Sequence, residues 1–584
     1  MSNRIPGVYH KETTVNPSVN SLYEEVPVIL GKATTGPTAP TEVYTKVGLT
    51  TLFGPEVKDD FGLTSANKIL TYCNRIIYCR VAHKGDKAQF KDEQKVVFEA
   101  KEGGTFLNNY KVKSVVSEDV LTITISKDEV VLEEVVVSTD ANSDDYVYSA
   151  FDNYSQFLNL AVAEDYTFTE TKEFTTVPGT VGAQVASGKS DDLEVVTRYT
   201  GSCYNNYTVA ISVSAQKKIS AKIKRGSVII DSIAEGEAGE SATAFVTRFN
   251  QYNNIVDIVK YPAVKSCAVT LTGGDSGFNT NEDDYIGGTE QGLKALEDTA
   301  SIDVGILAVP GVSDARVVKY AQTLASTRKD CIYIADPPIG LKSYQTACWA
   351  NGTGAFTGGS SITSSYATSF SPWVKDVDGF GDIVYLPPSA MVISKMMENN
   401  QTKNIWDACA GTDGGTLEIL GLEYNMDKND REILKTANVN PIIYTNSRGY
   451  IIMGDNTGLR VKRPLNPEPG ASLSVRRLIN YIKKTITALS IDYCFRTNDS
   501  FTWDEFKLQV DPYLRNIKDN RGLYDYRIVL DDTTVTAEKI DALEMPVVIK
   551  LKPTRKAEVI DLGFTLYPYG VSFNTDTTEG SEVL

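Results

Sequence analysis

Histidine is nearly missing from this chain: His10 and His83 are the only two in 584 residues. A nucleophilic triad needs an imidazole base within reach of a serine or cysteine, so such chemistry is confined to two positions. His10 lies in a proline-containing N-terminal stretch and His83 borders a Lys84-Gly85-Asp86 turn; neither neighbours a Gly-x-Ser-x-Gly elbow. No hydrolase triad, and no enzyme, is expected. A Cys-x-x-Cys pair is also lacking. The eight cysteines, at 73, 79, 203, 267, 331, 348, 409 and 494, are scattered, which removes the usual zinc and dithiol spacings and suggests reduced, buried thiols. Long apolar runs are missing too. The stretch VGILAVPGV at 304–312 is well short of the ~20 residues of a membrane helix, and the opening MSNRIPGVYHKETTV has no signal-peptide core. Direct membrane insertion is not expected, and assembly in a cytoplasm is. Positive charge is scarce, with 58 Lys and Arg against 75 Asp and Glu for a net −17. That balance disfavours nucleic acid as a partner, because displacing phosphate counterions takes clustered cations.

What is present is ordinary folded-protein composition, 42% hydrophobic and 23% charged, in a chain long enough for several cores. Residues 1–27 contain Pro6, Gly7, Pro17 and Pro27 and are expected to form an extended linking arm. VPVILGKA (26–33) and RIIYCRVA (75–82) resemble buried strands around a short helix at 64–74. From 91 to 282 the pattern changes to alternating segments such as LTITIS (121–126) and YTVAISVS (207–214), which are antiparallel β material. The pattern repeats: Gly104-x-x-x-Asn108-Asn109-Tyr110-x-Val112 aligns with Gly201-x-x-x-Asn205-Asn206-Tyr207-x-Val209, and Phe151-x-x-Tyr154 with Phe249-x-x-Tyr252, at offsets of 97 and 98. Two tandem β-rich modules are expected, 91–185 and 186–282. Residues 283–460 return to α/β texture, with helices at 290–298 and 315–328 and strands at 304–311 and 331–338, so that 28–90 and 283–460 form one discontinuous α/β body.

The region 461–565 reads as an α+β domain, followed by a C-terminal arm or tail at 566–584. Val475, Leu478, Ile479, Ile482, Ile486 and Leu489 mark one helix face. Thr502-x-x-Glu505 has the form of a capping box ahead of a second helix with stripe Trp503, Phe506, Val510, Leu514 and Ile517. Strand candidates come next, at 546–552 and 559–567. Arg476, Arg477, Lys483 and Lys484 fall opposite the first stripe at ~100° per residue, within a stretch from 460 to 484 that holds seven basic residues and one acid. An ordinary solvated face explains this as readily as docking on an acidic partner.

Two loops invite a phosphate and fail the test of context. Ala183-x-x-x-x-Gly188-Lys189-Ser190 is followed by Asp191, Asp192 and a strand-like segment rather than a helix, so it reads as a solvated linker between the modules. Gly31-Lys32-Ala33-Thr34-Thr35-Gly36-Pro37 lacks the Gly-Lys-Ser/Thr ending, and its proline removes an amide donor. The segment Asp275 to Asp284 carries calcium-compatible oxygens without EF-hand spacing. No catalytic, cofactor or metal residues are expected.

Several motifs, in order, resemble the contractile phage tail sheath family. They are Pro6-Gly7-Val8-Tyr9 with Glu12, Val26-Pro27-Val28-Ile29 with Gly31-Lys32-Ala33-x-x-Gly36-Pro37, Leu52-Phe53-Gly54, Val309-Pro310-Gly311, Ser371-Pro372-Trp373-Val374-Lys375, Leu386-Pro387-Pro388-Ser389, Asn438-Val439-Asn440-Pro441, Arg448-Gly449-Tyr450, Val475-Arg476-Arg477-Leu478 and Phe501-Thr502-Trp503. Tyr204-Asn205 departs from the family's frequent Gly-Asn. The resemblance implies an α+β multidomain fold: a subtilisin-like α/β body with the inserted pair of β modules, and an α+β C-terminal domain with extended terminal arms. It implies a structural subunit forming hexameric rings in a helical sheath around a tail tube, with baseplate and tail terminator proteins as partners, in the virion. Contraction would drive the tube through the host envelope. On this reading Val8, Tyr9, Glu12, Phe564 and Leu566 belong to inter-subunit arms that add strands to neighbours, and Arg476, Arg477, Lys483 and Lys484 face the tube. A phage-tail-like bacteriocin or secretion sheath, and a surface hydrolase, are the competing readings.

Overall fold

Nearly unbroken apolar runs suit strands covered on both faces, and the chain begins that way in the computed structural model. The structure describes residues 25–556, save 59, 84–86, 93–94, 104–110, 118, 128–129, 142, 144, 156–157, 163–165, 167, 169–171, 178–183, 191, 202–204, 226–227, 254, 272–274, 276, 289–290, 300, 360 and 460–467. Strand β1 (Pro27–Gly31) is buried throughout. After β2 (Thr41–Val43) and helices α1 (Lys46–Phe53) and α2 (Gly62–Ile69), β3 (Ile76–Arg80) runs parallel to β1.

The chain then leaves this sheet and builds two copies of one arrangement. The first comprises β4 (Lys87–Asp92), β5 (Lys95–Gly103), β6 (Lys111–Ser117), β7 (Val120–Lys127), β8 (Val130–Ser138), α3 (Val147–Tyr154), β9 (Leu158–Leu160) and β10 (Lys172–Val177). The second comprises β11 (Val185–Lys189), β12 (Glu194–Thr200), β13 (Tyr207–Val213), β14 (Ile219–Arg225), β15 (Val228–Ile233), α4 (Ala242–Tyr252), β16 (Val256–Lys260) and β17 (Cys267–Thr270). Strand orders β8-β7-β6-β10 and β4-β5-β9 in the first correspond to β15-β14-β13-β17 and β11-β12-β16 in the second. They differ in one join: β10 also pairs with β4, making a single seven-stranded sheet, whereas the second module keeps two sheets. Phe151 of α3 and Phe249 of α4 are both fully buried, each in its own module's core. Much of the repeated motif, 104–110 and 202–204, lies outside the described residues. The module starts expected at 91 and 186 fall inside β4 and β11, whose polar sequences KAQFKD and VASGK carry no apolar run to announce them. Likewise the phosphate-loop look-alike ending at Ser190 is largely strand β11, paired with β12, not a linker.

The chain returns through α5 (Glu282–Ile286) to the same body sheet. The helix expected at 290–298 is only a 3-10 turn, Lys294–Leu296. Then come β18 (Ile306–Ala308), α6 (Ala315–Arg328), β19 (Ile332–Ala335), α7 (Ser343–Asn351), β20 (Ala367–Ser371), β21 (Val374–Val377), β22 (Ile383–Leu386), α8 (Pro388–Thr402), α9 (Gly411–Gly414), β23 (Thr416–Leu417), β24 (Gly421–Leu422), α10 (Lys428–Thr436), β25 (Asn440–Thr445) and β26 (Gly449–Ile452). The nine-stranded order is β2-β3-β1-β18-β19-β20-β25-β26-β23, parallel from β3 to β25. Side-chain alternation sends Val28, Leu30, Leu307 and Tyr333 into one core and Ile29, Ile306, Ile332 and Ile334 into another. Helical crossovers cover both faces, as a parallel sheet requires.

Beyond β26 lie α11 (Leu473–Ile491), α12 (Ser500–Asp519), β27 (Leu523–Val529), α13 (Ala537–Asp541) and β28 (Val548–Pro553). The chain divides into two compact units between Thr497 and Asn498. By this division helix α11 groups with the larger unit. In the smaller unit α12 buries its expected stripe, Trp503, Phe506, Val510, Leu514 and Ile517, but its cap differs. Asp499 occupies the N-cap and accepts from the Thr502 amide at 2.9 Å, because the helix begins two residues before Thr502. Strands β27 and β28 pair antiparallel as a two-stranded sheet. Among the described residues no helix is long and apolar enough to cross a membrane.

Candidate functional site

A buried polar cluster lies at the first described residue of the chain. Glu25, just ahead of β1, is buried and faces Arg477 of α11. The two form a bidentate pair, Arg477 Nε to Glu25 Oε1 at 3.1 Å and Nη2 to Oε2 at 2.5 Å. Asn400 of α8 closes the group, accepting from Arg477 Nη2 at 2.9 Å and donating to Glu25 Oε2 at 3.0 Å. Planar guanidinium and carboxylate match in this fork, and the amide meets lone pairs that burial has stripped of water. The backbone is held as well: Gly305 N donates to the Val26 carbonyl at 2.8 Å. A Cβ at Gly305 would stand 2.7 Å from the Val26 amide nitrogen, so this close approach admits only glycine.

The other cations of α11 are also engaged. Arg476 lies over the Tyr366 ring at 4.2 Å and donates to Ser365 Oγ at 2.7 Å, and burial pulls its guanidinium below its ordinary pKa. Lys483 reaches the Tyr366 hydroxyl at 3.1 Å. Lys484 pairs with Asp303 and donates to the Val304 carbonyl at 2.6 Å. The four cations, expected to share one face that is either solvated or docked on an acidic partner, do not form a single exposed face in the folded chain. Arg477 points into the interior, Arg476 and Lys484 are bound to the body, and Lys483 is the exposed member. The helix is covered on more than its apolar stripe, so Arg476, Arg477 and Lys484 meet the body while Lys483 faces water.

The start of α11 is secured by Asp455, whose buried carboxylate accepts from Ser472 Oγ and Ser474 Oγ, each at 2.6 Å, and from the Ser474 amide at 3.0 Å. Burial raises its pKa against these hydrogen bonds. Asn440 bridges β25 to β20 and to residue 456, donating to Thr368 Oγ1 at 2.9 Å and to the Asn456 carbonyl at 2.8 Å. The sequence motif around Asn440 carried no hint of this role, because its partners are 16 and 72 residues away.

The arm residues Val8, Tyr9, Glu12, Phe564 and Leu566 lie outside the described residues, as do His10 and the strand candidate at 559–567. His83 is in a buried pair, its Nδ1 2.8 Å from Asp284 Oδ2. Asp284 also closes the capping box of α5 with Asn281, and Asp275 accepts from the Gly277 amide at 2.7 Å. Asp275 and Asp284 thus serve a turn and a cap, and Glu282 and Asp283 pair with Arg316. Among the described residues no group of three or more His, Cys, Asp or Glu is arranged to hold a metal ion. At the 31–37 loop the amide of Lys32 is taken internally by Asp60 at 3.2 Å, which also accepts from Gly62 at 3.0 Å. Burial raises Asp60 to about 6. Asp336 does the same beside α8, accepting from Gly311 and Ser389, and is likewise raised to about 6 by burial.

Comparison with known proteins bears on this region directly. Residues 466–566, from just before α11 to beyond β28, match the phage tail sheath C-terminal domain. The tail sheath protein of Enterobacteria phage T4 is 26% identical over 331 residues, covering 54% of this chain and 49% of the relative. That of Vibrio phage KVP40 is 28% identical over 314 residues, covering 50% and 46%. The chain spans about half the length of the curated relatives it matches. A crystal structure of a sheath tail protein from Listeria innocua superposes with a TM-score of 0.50 at 10% identity, covering 91% of this chain and 96% of that one, and so shares the fold. Residues 466–566 thus carry a phage tail sheath C-terminal domain, and about half of the chain is similar in sequence to tail sheath proteins of two phages.

Proposed function

We propose that the chain is the structural subunit of a contractile tail sheath, polymerising as stacked rings around an inner tube and contracting to drive that tube onward. The observation that carries this reading is the sheath C-terminal domain match over 466–566. It coincides with an element suited to polymerisation: the β27–β28 sheet has, among the described residues, no third strand on either side. An open edge offers unpaired amides and carbonyls to an extended segment of another copy, and residues 1–24 and 557–584 are candidates to supply it. The buried Glu25–Arg477 fork would then transmit force from the N-terminal arm into the body. Contraction of such a lattice needs no nucleotide, because the energy is held in a kinetically trapped arrangement of subunits. Tube, baseplate and terminator proteins are the proposed partners and the phage tail the proposed location, with Lys483 as the tube-facing cation. The parallel sheet with helices on both faces supports likening the body to a subtilisin-type fold. The structural role of the tail sheath relatives supports the reading that the chain is not an enzyme.

Negative-stain microscopy of the purified chain is the test. Long hollow tubes are expected, and removal of residues 1–20 should abolish them while leaving circular dichroism and thermal unfolding unchanged. Discrete small particles at every concentration would sink the proposal.

A further inference from the structure

The two β modules share a scaffold and differ in charge. Over 87–177 the chain has eight Lys or Arg and eighteen Asp or Glu, a net of −10; over 185–270 it has ten and eight, a net of +2. Part of the difference falls on corresponding faces. In the second module Lys222 and Lys224 alternate with buried Ala221 and Ile223 along β14 and so point outward. Lys224 stands opposite Ile229 on β15, and Lys222 opposite Ser232. In the first module the strand positions 98 residues earlier are Ser126 opposite Val131 and Thr124 opposite Glu134. Ile229 and Val131 are 50% and 52% exposed. Each module therefore presents an apolar residue on its edge strand, set among cations in the second module and beside an anion in the first. The acidic side continues into an open cleft of about 490 Å³ lined by Glu133, Glu134, Val135, Val136, Asp145 and Tyr154. Among the described residues Lys217, Lys222, Lys224, Arg225 and Glu134 form no ion pair with one another or with any other group.

We propose that the basic face of β14 and β15 in one subunit docks on the acidic face of β7 and β8 in a second copy of this chain. The partner is chosen by complementarity: an apolar centre with charges of opposite sign at its rim is the usual form of a specific contact. A duplicated module gives both halves of a head-to-tail interface to a single polypeptide. Such a heterologous contact propagates along a polymer instead of closing a dimer. Like modules are kept apart, since acidic faces repel acidic faces. The inference rests on the polymeric reading above and adds to it a second, electrostatic link between subunits.

Charge reversal in the full chain tests it. Lys222→Glu with Lys224→Glu, and separately Thr124→Lys with Glu134→Lys, should each raise the protein concentration needed for tube formation by about tenfold, the scale of a few interfacial charge pairs. The chain carrying all four changes should recover near wild-type assembly, because the faces have exchanged sign. Thermal unfolding of the monomer should be unaltered throughout, since all four positions lie on outward faces. Recovery is the decisive outcome: a mere folding role cannot produce it. Reversals that assemble as wild type would overturn the contact and leave the basic sheet to some other anionic partner. A four-fold variant as impaired as its parents would also overturn it. A wild-type chain that never polymerises would remove the sheath reading and this contact together.

Discussion

Single residues hold this molecule in positions that charge patterns do not advertise. Arg477 and Glu25 are separated by 452 residues and meet with side chains 2% and 3% exposed. Removing one partner leaves the other charged and dry, so Arg477→Met should lower stability by about 3–5 kcal/mol, and adding Glu25→Gln should restore part of it. A thermal melt of both variants checks the sign, and equal loss in single and double variants would contradict it. The buried carboxyls make an opposite kind of prediction. Asp336 and Asp60 keep their protons in the folded chain up to about pH 6, against an ordinary 3.8. Their contribution to stability is thus fully present below 3.8 and is lost as pH rises through about 6. Asp336→Asn should flatten the dependence of the unfolding midpoint on pH between about 4 and 6, and an unchanged profile would show that Asp336 titrates normally. Neither site was legible beforehand. An arginine at helical spacing reads as surface until the partner element is known, and an aspartate in a run of apolar residues gives no sign of whether amides await it.

Elements with strong periodicity were legible. Helix α6 spans Ala315–Arg328 as its pattern indicates, the stripe of α12 is buried, and in α11 Val475, Leu478, Ile482 and Leu489 are buried with Ile479 and Ile486 half-buried. End points depended on finer chemistry. The Thr502-x-x-Glu505 pattern is a common start signal, yet Asp499 caps α12 instead. Asp499→Ala should therefore cost about 0.5–2 kcal/mol, and Thr502→Ala distinctly less of the capping contribution; helicity and melting of the full chain compare them. The 3-10 turn at Lys294–Leu296 replaced an expected helix because the candidate segment is short, and isolated turns of helix gain little without a long face to bury.

At the scale of the whole molecule the insertion is the organising fact. Its ends come together: the His83 amide donates to the Gly277 carbonyl at 2.9 Å, and Gln291 Nε2 reaches the Ala82 carbonyl at 2.7 Å. Replacing 84–276 by a short flexible linker should leave the body folded, with the nine-stranded sheet intact by circular dichroism and a single cooperative melt. An insoluble product would mean that the modules support the body, through contacts such as Arg80 Nη1 to the Thr200 carbonyl at 3.0 Å. The sequence by itself determined the alternation of α/β and β texture, the tandem repeat, the scarcity of catalytic histidine and the ordered sheath motifs, because these are local patterns or compositions that survive any arrangement in space. Only the tertiary structure decided the order in which strands from both sides of the insertion join and that α11 packs with the larger unit. It alone decided that the cations at 476, 477 and 484 are bound inward. Those outcomes depend on which surfaces meet across tens to hundreds of residues, and a charge or an apolar side chain takes its role from whatever it is buried against.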